Sequence, residues 1–261
     1  MSQVLSGTTV LVTGSAGGLG KAIAVGFLEA GANVVVCDIN KERLEGAQAE
    51  LAPRFGDKLL ARVVDATADA AVEQLFKETV DRFGHLDVLV NNAGVTDVFD
   101  PAGTLSRELW DRVLNVNLTG PFLTTKAAIK TMEPRSSGTI INIGSNAAFY
   151  GSNAGLAYTV TKHGVLGLTR NTAAFYGDKG IYCIMLQLGA MLNTNISDIF
   201  ADGMNADGMA LMQKNFPGLK PGENDVQLET VAKFCVFLAN RDIAKTMNGA
   251  SVPLNCNWPA A

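Results

Sequence analysis

TGSAGGLGK, at residues 13–21, is a glycine-rich loop that directly follows the apolar run TTVLVT. A loop that binds nucleoside triphosphates has the pattern G-x-x-x-x-G-K-[ST]. Ser15 stands where this pattern needs its first glycine, and Ala22 stands where it needs a hydroxyl group. The sequence therefore argues against a triphosphate loop.

A dinucleotide fingerprint usually has the spacing G-x-G-x-x-G. Here Gly14, Gly18 and Gly20 follow the spacing G-x-x-x-G-x-G. The preceding run predicts a strand and a helix is predicted to begin near Gly18, so backbone N–H groups at the helix start can face a pyrophosphate. We therefore predict a dinucleotide as the ligand.

Composition excludes several classes of protein. The chain has 261 residues, a formal charge of −4 and 48% hydrophobic residues, which is ample for a large buried core. It has no basic surface signature for nucleic acid, no apolar window of about 18 residues for a membrane span and no signal-peptide pattern. We predict a cytoplasmic protein that binds neither nucleic acid nor membranes.

Metal and disulfide sites are also not expected. The four cysteines are far apart in the sequence and form no C-x-x-C pair, and there are only two histidines. We predict no metal and buried free thiols at Cys37, Cys183, Cys235 and Cys256.

Short β-branched runs alternate with helix-length segments along the whole chain. The strands are predicted at 8–13, 33–38, 61–65, 87–92, 139–144, 181–188 and 250–254, and helices include 18–30, 41–51, 69–83, 106–132 and 156–176. Nearly continuous apolar strands indicate burial on both faces, and the alternation indicates βαβ units. We predict an α/β fold: a single doubly wound Rossmann-type domain over residues 1–261, with a mostly parallel seven-stranded sheet and helices on both faces.

Asp38 ends the second predicted strand, downstream of the glycine loop. A carboxylate at this place can hydrogen-bond the ribose diol of a dinucleotide and repel a 2′-phosphate. The alternative is a solvated acid at a strand end. The prediction favours NAD(H), with NADP(H) not excluded.

Three further motifs extend the pattern: NNAG at residues 91–94, YTVTK at residues 158–162, and Ser145 upstream of the tyrosine. With T-G-x-x-x-G-x-G at residues 13–20, the chain resembles the short-chain dehydrogenase/reductase superfamily over nearly its whole length. The resemblance implies a catalytic tetrad of Asn117, Ser145, Tyr158 and Lys162.

The chemistry of these residue types agrees with that implication. Tyr158 and Lys162 are one helical turn apart and share a face, so a lysine ammonium and an oxidised nicotinamide are expected to lower the tyrosine pKa toward neutrality. Tyr158 can then exchange a proton with a substrate oxygen, which Ser145 holds by resemblance. Pro121 cannot donate an N–H to the Asn117 carbonyl, which predicts a bend; the family uses this asparagine to hold a water that leads to the lysine.

The resemblance also implies the cofactor contacts. Asp65 matches the acid that meets the adenine, Asn92 and Gly94 line the adenosine ribose, Lys162 bonds the nicotinamide ribose, and Asn91 looks structural. The full predicted set is Gly14, Gly18, Leu19, Gly20, Asp38, Asp65, Asn92, Gly94, Tyr158, Lys162, Met191 and Thr194.

The chain departs from the family pattern after the sixth strand, where it reads IMLQLGAMLNT. Ile184 and Leu188 replace the usual asparagine and proline, and Thr194 lies one residue farther from Gly189 than is usual. These departures change the spacing at Met191 and Thr194, the positions that the resemblance assigns to the nicotinamide contacts. The tail PLNCNW also departs from the usual V-D-G-G.

A substrate lid is predicted at about 190–227, with glycine hinges and adaptable methionines. Phe149, Tyr150 and Trp258 are further candidate pocket walls. The lid carries few cations, which favours a neutral, apolar substrate. Helices 106–132 and 156–176 are apolar around much of their circumference and need a second partner, so we predict a homotetramer.

The sequence therefore predicts an oxidoreductase that transfers a hydride between NAD(H) and a neutral secondary alcohol or ketone. Two alternatives remain open: an NADPH-dependent reductase of a 3-oxoacyl group bound to a carrier protein or coenzyme A, and a non-catalytic scaffold that binds the cofactor.

Overall fold

The computed structural model describes residues 4–192, 194, 196 and 203–259. Within this part of the chain, seven strands form one sheet in the order β3-β2-β1-β4-β5-β6-β7, and every neighbouring pair is parallel. The strands are β1 (Thr9–Thr13), β2 (Asn33–Asp38), β3 (Leu59–Val63), β4 (Val88–Asn91), β5 (Gly138–Ile143), β6 (Ile181–Leu188) and β7 (Ser251–Leu254).

Helices connect the strands. The α-helices are α1 (Gly18–Glu29), α2 (Lys41–Phe55), α3 (Asp69–Phe83), α4 (Arg107–Leu114), α5 (Gly120–Met132), α6 (Leu156–Tyr176), α7 (Ala206–Asn215), α8 (Leu228–Leu238) and α9 (Arg241–Thr246). A π-helical turn lies at Asn115–Thr119, and 3-10 turns lie at Gly56–Lys58, Glu133–Arg135, Asn146–Ala148 and Gly177–Lys179.

The two faces of the sheet carry separate apolar clusters. Side chains alternate along each strand, so Val10 and Val12 of β1 join one cluster while Leu11 joins the other. The first cluster includes residues of α1, α2, α8 and α9, and the second includes residues of α3, α5 and α6. The predicted α/β fold, with a parallel sheet covered on both faces, is confirmed.

Some predicted boundaries were wrong. The third strand spans Leu59–Val63 rather than 61–65, because its ladder with β2 ends where Val63 pairs with Asp38, the last residue of β2. The predicted helix 106–132 is divided by the π-helical turn. Cys256 is exposed rather than buried, whereas Cys37, Cys183 and Cys235 are buried as predicted.

The site residues lie at the carboxyl edge of the sheet. The chain builds β2 and β3 on one side of β1 and then returns to place β4 on the other side. The connections therefore diverge between the ends of β1 and β4, which is where open parallel sheets bind ligands. The glycine loop follows β1, Asp38 ends β2, the NNAG segment begins at the end of β4, and Ser145 follows β5.

Candidate active site

The glycine loop leaves no room for side chains at two of its positions. Gly14 has a φ of 62°, and a Cβ there would lie 2.7 Å from the Cα of Ala93. A Cβ on Gly20 would overlap the Gly14 carbonyl oxygen and meet the amide nitrogen of Asn92. The loop is thus packed tightly against the segment that follows β4.

The first turn of α1 faces the same loop. Its N-cap residue is Gly17, and no side chain in the described part of the chain caps the helix, so the backbone N–H groups at its start have no cap of their own. Leu19 turns its side chain into the apolar core and is only 6% exposed. Gly18 has a φ of 48°, a value that favours glycine at the start of the helix. The geometry suits an anion such as a pyrophosphate.

Asp38 lies beside the loop with its carboxylate anchored on backbone amides. One oxygen accepts a hydrogen bond from the N–H of Ala16 at 3.2 Å, and the other accepts from the N–H of Asn40 at 2.9 Å. Asp65 lies two residues beyond the end of β3, where its Oδ1 accepts bonds from the amide and hydroxyl of Thr67.

The two asparagines of the NNAG segment have different surroundings. Asn92 donates from its side-chain amide to the carbonyls of Thr13 and Gly14, both at 2.9 Å, and so ties the glycine loop to the end of β4. Asn91 is buried and donates to the Asn142 Oδ1 at 2.8 Å, while its own Oδ1 accepts from the Thr124 hydroxyl.

Asn117 sits in the π-helical turn and is 1% exposed. Its side chain pairs with the backbone of Val95 in both directions: Nδ2 donates to the Val95 carbonyl at 2.7 Å, and Oδ1 accepts from the Val95 N–H at 2.8 Å. Nδ2 also lies 3.4 Å from the Thr161 hydroxyl on α6. A Cβ on Gly94 would approach the Asn117 Oδ1 to 3.4 Å, which places Gly94 against the same amide.

Ser145, Tyr158 and Lys162 meet at the end of β5. The Tyr158 hydroxyl makes a hydrogen bond with Ser145, and the Ser145 Oγ also accepts the N–H of Ala147 at 3.1 Å. The Lys162 Nζ lies 5.2 Å from the centre of the Tyr158 ring and donates to the Ile143 carbonyl at 2.9 Å.

The pKa directions differ from the sequence-based expectation. Burial raises the pKa of Tyr158 to about 12; the hydrogen bond with Ser145 opposes this shift and the negative charge of Asp97 adds to it. Burial also lowers the pKa of Lys162 to about 8. The causes of the Tyr158 shift do not include Lys162, so the expected lowering of the tyrosine pKa by the lysine is not seen. Desolvation dominates at both residues and disfavours both charged forms.

Met191 packs against the apolar cluster that includes α1 and α8, and Thr194 is half-buried. Ile184 and Leu188, the departures in β6, are buried in the same cluster, and Gly189 donates its N–H to the Leu254 carbonyl of β7 at 3.0 Å. Residues 193, 195 and 197–202 of the predicted lid lie outside the described residues.

The described part of the predicted lid contains α7, and its contacts link it to the loop after β4. Asn205 donates its backbone N–H to the Val98 carbonyl at 2.9 Å and its side-chain amide to Asp100 at 2.7 Å. Gly208 packs against the Phe99 carbonyl so closely that a Cβ would overlap it.

Trp258, near the end of the chain, contacts both the segment after β5 and the residue after α7. The buried Trp258 donates its indole N–H to the Phe216 carbonyl, and its own carbonyl accepts from Asn146, the residue after Ser145. Phe216 makes an edge-on contact with Tyr150, with ring centres 5.4 Å apart. Phe149 is exposed beside them.

Sequence reasoning missed one buried acid at this site. Asp97 accepts hydrogen bonds from the backbone N–H groups of Phe99, Gly155 and Tyr158 and has no exposed surface. A signal was present, because α6 begins after SNAG with a glycine at the position that usually carries a capping side chain.

The described residues contain neither a membrane-spanning helix nor a metal site. No helix there is long and apolar enough to cross a membrane. No group of three or more His, Cys, Asp or Glu side chains in that part of the chain could hold a metal ion.

Comparison with known proteins gives consistent matches over the whole fold. The family model of the short chain dehydrogenases matches residues 8–203. The short chain dehydrogenase/reductase dpchG of Colletotrichum higginsianum is 48% identical over 259 residues, which cover 98% of this chain and 96% of that protein. The 3beta-hydroxysteroid dehydrogenase 2 of Eggerthella lenta is 35% identical over 260 residues, which cover 99% and 97%. The crystal structure of levodione reductase superposes with a TM-score of 0.86 at 30% identity and covers 98% of this chain and 99% of its own.

Proposed function

Because this chain belongs to the short-chain dehydrogenase/reductase superfamily of oxidoreductases, we propose that it transfers a hydride between NAD(H) and a secondary alcohol or its ketone. The observation that carries the proposal is the convergence of Ser145, Tyr158 and Lys162 at the edge of the sheet that also carries the glycine loop. Asn117 is linked to this group through Thr161, whose hydroxyl lies 3.4 Å from the Asn117 Nδ2.

The residues present fit a nicotinamide cofactor. Glycines at positions 14 and 20 leave a cradle that a Cβ would fill, and the uncapped start of α1 offers N–H groups to a pyrophosphate. In this proposal Gly14, Gly18, Leu19 and Gly20 hold the pyrophosphate, while Asp38, Asp65, Asn92 and Gly94 hold the adenosine. Tyr158, Lys162, Met191 and Thr194 face the nicotinamide half. When bound, the cofactor supplies or accepts the hydride, and its oxidised form brings a positive charge to the site.

The preference for NAD(H) follows from Asp38. Its carboxylate is anchored by two backbone N–H groups at the end of β2, so it has a defined position from which to accept bonds from a ribose diol. A 2′-phosphate at the same place would meet a like charge.

Tyr158 carries the proton in this mechanism. The substrate oxygen is held by the hydroxyls of Ser145 and Tyr158, and the tyrosine donates a proton during ketone reduction or accepts one during alcohol oxidation. Burial raises the pKa of Tyr158 to about 12, so the phenol is protonated at neutral pH and suited to donation. A proton is therefore available for ketone reduction at neutral pH, and the rate of alcohol oxidation is expected to rise toward alkaline pH as Tyr158 ionises.

An apolar substrate agrees with the surroundings of the tetrad. Exposed apolar side chains are found after β5 and on the described part of the lid, at Phe149, Leu192, Met204 and Leu211. Two relatives have names that specify a hydroxysteroid and levodione as their substrates, which supports a cyclic ketone or secondary alcohol here.

A homotetramer is also proposed. Large apolar side chains remain exposed on the two helices for which a second partner was predicted: Phe122 on α5 is 49% exposed, and Phe175 on α6 is 69% exposed. Burial of these side chains between subunits would stabilise the assembly.

Replacement of Tyr158 by Phe tests the proposed reaction. Reduction of a panel of apolar cyclic ketones with NADH should fall by about 1,000-fold, since positioned proton transfer contributes on this scale. Binding of NADH, measured by calorimetry, should change by about fivefold or less, because one hydrogen bond is worth ~1 kcal/mol.

Tyr176→Phe is the matched control, because Tyr176 ends the same helix and stacks against Lys179 away from the tetrad. It should leave turnover unchanged. Full turnover by the Tyr158→Phe enzyme would refute the proposed mechanism. Turnover of 3-oxoacyl thioesters with NADPH, but not of the cyclic ketones with NADH, would instead establish the carrier-linked alternative.

A further inference from the structure

Helix α6, which carries Tyr158 and Lys162, begins without a capping side chain of its own. Its N-cap residue is the buried Gly155. The first N–H groups of a helix have no partner within the helix, and a buried N–H without a partner is costly. The start of α6 must therefore obtain its hydrogen-bond acceptors from another part of the chain.

Asp97, in the loop after β4, supplies these acceptors. Its Oδ1 accepts from the Gly155 N–H at 3.0 Å and its Oδ2 accepts from the Tyr158 N–H at 2.9 Å. These amides, at the N-cap and N3 positions, are the two donors that a local capping box would satisfy. The Asp100 carbonyl accepts the intervening N–H of Leu156 at 2.9 Å. One buried carboxylate and one carbonyl thus replace the local cap.

Gly155 and Asp97 depend on each other. A Cβ at position 155 would overlap the Asp97 carboxylate, so a serine or aspartate cap in the helix itself would displace it. The absence of a side chain at the N-cap is what lets the distant carboxylate reach both amides.

The loop that carries Asp97 is held on both sides. Val95 pairs with the side chain of Asn117 through its N–H and its carbonyl. Farther along, Val98 and Asp100 accept the two hydrogen bonds from Asn205 before α7. Asp97 is therefore a fixed point between the proposed tetrad and the lid, rather than part of a loose surface loop.

We propose that Asp97 is a positioning residue of the reaction, because its buried carboxylate sets the start of α6 and so places the Tyr158 hydroxyl against Ser145. The inference rests on the proposed function, in which Tyr158 transfers the proton. A small displacement of a proton donor is expensive in catalysis even when substrate and cofactor still bind.

Asp97 also acts on Tyr158 through its charge. Among the described residues, the charged groups around Tyr158 are Lys162 on α6, with Nζ 5.2 Å from the ring centre, and Asp97 from the loop after β4, whose own carboxylate feels the charge of Asp100. Burial is the main cause that raises the pKa of Tyr158, and the Asp97 charge raises it further. Removal of that charge should lower the tyrosine pKa.

The test is Asp97→Asn, which keeps the shape of the side chain and removes its charge and one acceptor. We expect kcat to fall by about 100-fold with a much smaller change in the NADH dissociation constant, since the loss is one of orientation. The alkaline rise of alcohol oxidation should shift to lower pH. Asp87→Asn is the matched control, because Asp87 accepts the Thr9 N–H at 2.9 Å at the opposite edge of the sheet. It should change neither kcat nor the pH profile.

A second readout does not need activity. The absorbance of tyrosinate is titrated in each protein and in its Tyr158→Phe derivative, and the difference reports the pKa of Tyr158. This pKa should be lower in Asp97→Asn than in the natural protein. If Tyr158→Phe retained turnover, the proposed function would fail while this titration still tested the action of Asp97 on Tyr158.

Two results would overturn the inference. One is an Asp97→Asn enzyme with unchanged kcat and unchanged Tyr158 titration, even if its thermal stability is lower, because Asp97 would then serve stability alone. The other comes from Gly155→Ala, which displaces the carboxylate without removing it and serves as the test if Asp97→Asn does not fold. Full kcat in Gly155→Ala would show that the contact does not position Tyr158.

Discussion

The same substitution, Gly→Ala, should have opposite effects at two helical positions. Gly20 lies in α1 and Gly46 lies in α2. A Cβ on Gly46 would meet nothing within 4 Å at an exposed site, whereas a Cβ on Gly20 would overlap the Gly14 carbonyl oxygen and reach the Asn92 amide nitrogen. Helix propensity alone favours alanine by ~1 kcal/mol at either position.

At Gly20 the steric clash outweighs the gain in helix propensity. Overpacking costs ~1–3 kcal/mol, and the clash is with backbone, which cannot move aside as a flexible side chain can. The two hydrogen bonds from Asn92 to Thr13 and Gly14 are also disturbed, at ~1 kcal/mol each. We expect Gly20→Ala to lower the free energy of unfolding by about 3 kcal/mol, and Gly46→Ala to raise it by about 1 kcal/mol.

Urea unfolding, followed by tryptophan fluorescence at equal protein concentrations, measures both changes. Calorimetry with NADH measures the second consequence, because Gly20→Ala displaces the loop proposed to hold the pyrophosphate and should weaken binding at least about tenfold, or ~1.4 kcal/mol. Gly46→Ala should bind NADH like the natural protein. A Gly20→Ala protein with natural stability and natural NADH affinity would refute the steric reasoning.

Three further predictions concern the site and the assembly. Asp38→Ala should erase a preference for NADH over NADPH in calorimetry; equal or tighter NADPH binding by the natural protein would contradict the role of Asp38. Burial lowers the pKa of Lys162 to about 8, so the folded state loses stability relative to the unfolded state as the pH falls from 10.5 to about 8. Lys162→Met should inactivate the enzyme, because it removes a residue of the proposed tetrad. It should also raise the free energy of unfolding at pH 7 by about 2 kcal/mol, and this gain should vanish near the ordinary lysine pKa. If urea unfolding at pH 7 showed no gain, burial of the Lys162 ammonium would carry no cost. Light scattering should report a tetramer that Phe175→Glu dissociates, and a monomer at micromolar concentration would contradict the assembly.

Much of the fold could be predicted from the sequence because the hydrophobic pattern of each segment is typical of the strand or helix that it forms. The apolar strands β1, β2 and β6 match their predicted ranges closely, since burial on both faces requires continuous apolar runs. The end of β3 was displaced by two residues, because a strand at the sheet edge ends where its only neighbour ends. The π-helical turn at Asn115–Thr119 was predicted only as a bend, since Pro121 reveals a missing donor but not how the helix reorganises.

The motifs identified the family and predicted which residues form the site, and the family assignment is confirmed. The roles of the site residues remain predictions. The structure adds the partners that the motifs could not show: Asn92 bonds the glycine loop, and Asn91 joins a buried network with Asn142. These contacts join strands that are distant in the sequence, so no local pattern contains them.

Local sequence was thus sufficient for the order of strands and helices, the position of the glycine loop after β1 and the shared face of Tyr158 and Lys162, because each depends on neighbours a few residues away. Tertiary structure alone decided the direction of the Tyr158 pKa, since desolvation depends on everything that packs around the ring. It also decided the role of Asp97, whose carboxylate reaches Gly155 and Tyr158 across a separation that only the folded sheet closes.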